Sequence, residues 1–313
     1  MTMLQSIRTL LLAAFLSATS VSSAAAATLP NAPASYVMTL GKLKVVALYD
    51  GYLPGNMTEI LRGGDTERVA TLLENANLDH DARMSVNAYL IDTGKQKILV
   101  DTGGGALTGP TAGRLQESLG SAGYSADGID VILMTHLHPD HIGGLVNGEQ
   151  ARFRKAVVWI NEVELNYWKS YEADAQRDAD AKAAAKVVRR YLKPYEDDGR
   201  IAAFNWGDKL AANVEAVDLK GHTPGHTGFR VGLGAEQIQI WGDVIHVEPV
   251  QFPEPEVTVI YDASPKQAVR TRLSALADAV QGGYWVADAH IAFPGIGKVG
   301  KHGDHYIWVP VDQ

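Results

Sequence analysis

The sequence predicts a single α/β domain, and three observations carry that expectation. Segments with the period-two or continuous apolar pattern of strands alternate with segments of helical period along the chain. No composition break, long linker or evident internal repeat divides it after the first residues. The histidines and aspartates that are densest in chemistry stand just past strand-like segments, so one edge of a sheet can gather them.

The elements follow in order. Residues 28–36 are rich in Pro and Ala and read as an exposed leader. Residues 43–49 alternate loosely as a strand, and 86–92 and 98–101 read as two strands joined by a turn at Thr93-Gly94-Lys95. Gly103 to Gly105 make a flexible corner. Residues 111–119 suit a helix, with Leu115 and Leu119 four apart. Residues 131–134 form a buried-type strand that runs into Thr135-His136. After a short strand at 157–160, Asn161 with Glu164 reads as a capping box that opens a helix. Residues 174–192, Ala-rich with mixed charge, read as a surface helix. Residues 214–219 and 238–241 are strands. Ser264-Pro265 with Gln267 starts a helix whose apolar face is Val269, Leu273, Leu276 and Val280, and Gly282-Gly283 end it. Residues 284–287 are a last strand, leading to His290.

Composition limits the function. The 313 residues carry a formal charge of −8 with no basic run, which argues against a nucleic-acid partner. Arg8, the apolar stretch 10–18 and the small residues 22–27 form a secretory signal peptide over residues 1–27, with cleavage near Ala26 or Ala27. Residues 28–313 are then the domain, exported to the periplasm or secreted. The apolar stretch is too short to span a bilayer. With no cysteine there is neither a disulfide framework nor a lipid anchor on sulfur, so no stable membrane anchor is expected. Any metal site must be built from His and carboxylates.

Such a set is present. Thr135-His136-Leu137-His138-Pro139-Asp140-His141 holds four ligand-type residues in six positions. In extended chain His136 and His138 point the same way, and Pro139 then forces a turn that re-aims Asp140 and His141. Gly143-Gly144 let backbone pack closely beneath. Gly221-His222-Thr223-Pro224-Gly225-His226, Trp241-Gly242-Asp243 and Asp288-Ala289-His290 each place a further ligand type after a strand. Single histidines elsewhere read otherwise: His302 and His305 lie in a Gly- and Lys-rich surface tail, and His80, between Asp79 and Asp81, is exposed.

The series H-x-H-x-D-H, G-H-T-P-G-H, G-D and a late His resembles the metallo-β-lactamase superfamily. Leu99-Val100-Asp101-Thr102-Gly103, Gly109-Pro110-Thr111, Val250-Gln251-Phe252 and residues 290–297 are similar to its methyl parathion hydrolase branch of exported lactone, aryl-ester and organophosphate hydrolases. The resemblance runs from about Ser35 to Val311. It implies an αββα sandwich of two mixed β-sheets flanked by helices. It implies two divalent metal ions, zinc first, with manganese, cobalt or iron also suited to the donors. His136, His138 and His222 would hold one metal, Asp140, His141 and His290 the other, with Asp243 bridging. His226 and Asp101 would orient ligands through hydrogen bonds, though Asp101 reads equally as a turn residue at a strand end. A hydroxide shared by the metals would attack a carbonyl or phosphoryl centre, with Asp140 and Asp243 taking part. A homodimer is also implied.

For the substrate pocket, Trp168, His246, Tyr261 and Thr108 are the candidates. Trp168 reads equally as core and His246 as a strand histidine. Thr108 stands where the organophosphate-cleaving members carry an aromatic, and the stretch 183–185 replaces another. His246 and Tyr261 resemble the bulkier walls of lactonases and aryl esterases. The expected substrate is therefore a small lactone or aryl ester, with a phosphotriester as the alternative. Among rival readings, a mononuclear iron oxygenase is disfavoured because both ligand sets are complete, and an exported metal-binding protein needs no open site.

Overall fold

The computed structural model describes residues 34–78, 82–173, 179–234 and 236–312. The signal segment, most of the leader, His80 and part of the 174–192 stretch lie outside the described residues. Two seven-stranded sheets stack face to face. The first takes β1 (Ser35–Leu40), β2 (Leu43–Gly55), β3 (Ala82–Asp92), β4 (Lys97–Val100), β5 (Val131–Leu133), β6 (Val157–Asn161) and β7 (Ile201–Phe204) in chain order. Its first three pairings are antiparallel and its last three parallel. The second takes β8 (Lys209–Ala211), β9 (Val214–Asp218), β10 (Thr227–Leu233), β11 (Glu236–Ile240), β12 (Trp285–Ala287), β13 (Ile296–His302) and β14 (His305–Pro310), also in order. There only β11–β12 is parallel. Both sheets are mixed, as expected.

Alternating inward residues of the two sheets, among them Val45, Ile91, Val100, Phe229, Val231 and Ile240, make the central layer. The outer face of the first sheet is covered by α1 (Thr66–Asn75) only at its margin and by α2 (Leu115–Ser121), α3 (Glu162–Ala173) and α4 (Ala179–Asp197) over its core. The second sheet is covered by α5 (Pro265–Gly282), through Ala275, Leu276 and Ala279. This is the αββα sandwich.

Several expectations are corrected. Ser35 and Tyr36 belong to β1 rather than to an exposed leader. The helix expected from 111 starts at Leu115, because Gly113 adopts a positive φ and the Asp50 carboxylate accepts from Gly113 N and Leu115 N, fixing a turn there. Strands β7, β8, β10, β13 and β14 had no expected counterpart. Asn161 accepts from Val163 N at 2.9 Å and caps α3 alone, whereas Glu164 turns inward. Ser264 makes no side-chain cap bond. The buried face of α5 is Ala268, Arg272, Ala275, Leu276 and Ala279, rotated from the expected one. Arg272 is tolerated inside because its guanidinium donates to the carbonyls of Val244, Pro255 and Val257. Gly283 ends α5 in the left-handed conformation, as expected.

Candidate metal centre

Five strand ends deliver the site. β4 ends at Asp101, β5 at the 135–141 loop, β9 at the loop of His222, β11 at Asp243 and β12 at His290. The loops pack with unusual closeness: a Cβ on Gly143 would lie 1.8 Å from Gly104 O, and one on Gly144 1.9 Å from Thr102 O. Only glycine lets the 102–105 and 141–145 backbones touch, which is what seats His141 beneath the cluster.

All seven expected ligand residues converge. His136, His138, His222 and Asp243 form one group, Asp140, His141 and His290 another, each with ligand atoms within 4.8 Å of one another. In the first, His138 Nδ1 lies 3.0 Å from His136 Nε2 and 2.9 Å from His222 Nε2, and Asp243 Oδ2 is 3.2 Å from His222 Nε2. In the second, Asp140 Oδ2 lies 3.4 Å from His141 Nε2 and 3.5 Å from His290 Nε2. Asp243 joins the two, with Oδ1 3.1 Å from His141 Nε2 and Oδ2 3.0 Å from His290 Nε2. Ligands of a tetrahedral zinc at 2.0–2.1 Å stand about 3.3 Å apart, so these separations suit a metal ion. The fit is sharpened by His141 Nε2 and Asp243 Oδ1, both buried with no hydrogen-bond partner.

The far side of each ring is held. His141 Nδ1–H donates to Asp101 Oδ2 at 2.8 Å, His222 Nδ1–H to Asp262 Oδ1 at 3.0 Å, and His290 Nδ1–H to the Ser85 carbonyl at 2.9 Å. His136 Nδ1–H donates to Thr135 Oγ1, whose own proton goes to Asp101 Oδ2. In all four Nδ1 is the nitrogen engaged on the far side, which leaves Nε2 as the nitrogen that faces the cluster. Asp101 thus orients a histidine of each group, and it does so from a strand-end position with φ of 60°, so both of its sequence readings apply. His226 is turned away from the cluster: its Nδ1–H donates to Leu219 O, and its Nε2 accepts from Asp243 N at 3.0 Å.

Electrostatics follow from burial and charge. Burial pushes His138 down to about 3 and His136 well below the imidazole range, so both are neutral, the form that ligates. Burial also lowers His290 and His141, but Asp243 and Asp140 outweigh it and draw His290 up to about 9 and His141 well up. Burial opposes ionisation of Asp140 and Asp243, yet His141 and His290 hold both below the usual carboxylate range.

Three supports escaped the sequence reading. Glu164, fully buried, accepts from Leu137 N and Trp168 Nε1 on one oxygen and from Thr223 Oγ1 and Gly225 N on the other. It ties the loop of His138 to the loop of His222. Asp262 orients His222, and Asp50 anchors Gly104, Gly113 and Leu115, bracketing the loop of Thr108.

Above the cluster lies a cavity of about 370 Å³, lined by Thr108, His246 and Tyr261 together with Leu53 and Met84. Trp168 is not on that wall. It meets His138 edge-on with ring centroids 5.9 Å apart and lines a separate cavity with Leu137, Leu165 and Ala185, and with Lys169, Arg189 and Glu196. His302 and His305 are exposed on the β13–β14 hairpin.

An αββα fold with this donor set defines a class of metal-centred hydrolases. A model of the metallo-beta-lactamase superfamily matches residues 82–309, and the chain belongs to that superfamily. Among solved structures it is similar to the hydrolase AbOPH of the beta-lactamase superfamily, with 30% identity, a TM-score of 0.85, and 91% of this chain and 99% of that one covered. It is also similar to AidC, a dizinc quorum-quenching lactonase solved with its product, at 25% identity and a TM-score of 0.81 over 91% and 99% of the two chains. The beta-lactamase-like protein 2 homolog of Caenorhabditis elegans is 31% identical over 159 residues, 51% of this chain and 44% of that protein. Hydroxyacylglutathione hydrolase GloC of Haemophilus influenzae is 27% identical over 153 residues, 48% and 65%. Both of those matches span less than two thirds of the relative. No helix among the described residues is long and apolar enough to cross a membrane.

Proposed function

We propose that the protein is a two-metal hydrolase of the methyl parathion hydrolase-like branch that opens lactones or cleaves aryl esters. The observation that carries this is Asp243, whose two oxygens reach both donor groups at the floor of a cavity large enough for a small ester. His136, His138 and His222 would hold one ion and Asp140, His141 and His290 the other, with Asp243 shared. Bound divalent cations supply Lewis acidity and lower the pKa of coordinated water toward roughly 7.

The chain's own residues do the rest. Asp140 lines the cavity with its carboxylate, where it can take up the attacking proton and return it to the departing oxygen. Tyr261 lines the same cavity; burial and the nearby Asp140 charge raise its hydroxyl pKa, so it stays protonated as a donor. Leu53 and Met84 give the apolar wall that excludes water around an acyl or alkyl group. Thr108 adds no aromatic surface, which with His246 and Tyr261 supports a lactone or aryl ester over a phosphotriester. The export signal read at residues 1–27 would place the domain 28–313, and its metal loading, outside the cytoplasm.

The test is elemental analysis and an assay on one purified sample. The panel holds an aryl lactone, an acyl-homoserine lactone, an aryl acetate and a phosphotriester. About two metals per chain and lactone or aryl-ester turnover abolished by a chelator is the expected result. Phosphotriester turnover far above any lactone overturns the substrate assignment. One iron and no ester turnover overturns hydrolysis.

A further inference from the structure

A smaller cavity of about 130 Å³ adjoins the one above the cluster and shares Met84, His246 and His290 with it. Most of its remaining wall is apolar, including Met57, Leu78 and Val247. Glu248 interrupts that wall. Its half-buried carboxylate has no hydrogen-bond or ion-pair partner among the described residues. Burial alone pushes the group up to about 7, with no neighbouring charge acting on it. Arg83, at the rim, is exposed and lies over the Tyr52 ring at 4.9 Å.

His246 adds a second unsatisfied group. It is buried, and although its Nε2 lies 3.2 Å from Asp243 Oδ2, neither ring nitrogen has a hydrogen-bond partner. The Glu248 carboxylate therefore stands in a small, largely apolar cavity as an acceptor that no donor of the described residues meets. A carboxylate half withdrawn from water and met by no donor is costly.

We propose that this cavity is a subsite for a primary ammonium, or another N–H donor, carried on a short apolar stem. Glu248 takes the head group and the apolar wall takes the stem, while Met84 marks the edge shared with the larger cavity. Read as the place for a basic arm of the substrate, the subsite rests on the hydrolase assignment above. Read as a binding site, it does not.

The experiment is calorimetric binding to the full-length, metal-replete protein, comparing hexylammonium with 1-hexanol. The ammonium is expected to bind about tenfold tighter or more, the effect of one charge-assisted hydrogen bond. Glu248→Gln keeps the size and removes the charge, and should bring the two ligands close to parity. Glu248→Ala serves as the second variant should the amide perturb folding. Equal affinities in the parent protein, or a gap that survives both variants, overturn the proposal, because binding is then to the metals or elsewhere. A gap that Glu248→Gln abolishes in a protein that turns over no ester supports the subsite and sinks the hydrolase reading. Ester turnover without the gap does the reverse.

Discussion

Replacing Asp101 by Asn tests how the two donor groups are oriented. Asn is among the non-glycine residues most at ease at positive φ, so the backbone at φ of 60° is kept. One oxygen remains to accept from Thr135 N, as Oδ1 does now at 2.9 Å. The other becomes an NH2 facing two donors, His141 Nδ1–H and the Thr135 hydroxyl, each at 2.8 Å. The conflict is relieved if His141 moves its proton to Nε2. That atom is 3.1 Å from Asp243 Oδ1, and a proton there removes the lone pair a metal needs.

Loss of such an orienting partner typically costs 10–100-fold in metal affinity, or about 1.4–2.8 kcal/mol. Asp101→Asn should therefore weaken chiefly the ion held by Asp140, His141 and His290. Thr135→Val is the companion. It cuts the relay from His136 to Asp101 while leaving the bond from His141, so the weakening should move to the His136, His138 and His222 group. The assay is competition with a chromophoric chelator, resolving two stepwise affinities. If Asp101→Asn binds both metals as tightly as the parent, the tautomer argument is wrong. If both variants weaken the same site, the relay drawn through Thr135 is wrong.

Three further outcomes follow from the structure. Glu164→Gln keeps an acceptor for Leu137 and Trp168 but sets an amide NH2 against Gly225 N–H; leaving that buried donor unmet should cost about 1–3 kcal/mol in urea unfolding, and an unchanged midpoint would refute the role given to the carboxylate. Gly143→Ala drives a Cβ into Gly104 O and should lose about 3 kcal/mol or more, whereas Gly120→Ala, inside α2 with nothing within 4 Å, should gain about 0.5–1 kcal/mol; thermal melts that rank them otherwise contradict the packing described. Burial raises the Asp92 carboxyl, but the Gly94 N–H and the Tyr124 hydroxyl outweigh it and lower its pKa, so its contribution is full above the unfolded value of about 3.9 and is lost as pH falls through the folded one. The stability gap between the parent and Asp92→Asn should thus be widest near neutral pH and close in acid; a gap that widens on acidification reverses the sign assigned.

What the chain disclosed in advance, and what it withheld, divides along one physical line. Residues that serve the centre by local sequence were legible. His136, His138, Asp140 and His141 stand in one strand-to-turn segment, where a period of two and the break at Pro139 already separate two directions of approach. The glycines at 143 and 144 advertise close backbone contact in the same way. Residues that serve it by tertiary contact were not. Glu164 matched a local pattern, the capping box three residues after Asn161, and that pattern was the wrong explanation. Its partners Thr223 and Gly225 are 59 and 61 residues away, and nothing in the spacing of a helix names them. One signal was available: Glu164 stands one turn before Trp168, on a stripe that packs inward, and an acid on such a stripe needs donors from elsewhere. Arg272 on α5 poses the same question, and three carbonyls answer it. The Ser85 carbonyl that orients His290 has no side-chain signature at all. The pattern of a sequence reports which face of an element is buried. It does not report what that face meets, and in this protein the groups that aim the histidines lie mostly on the meeting side.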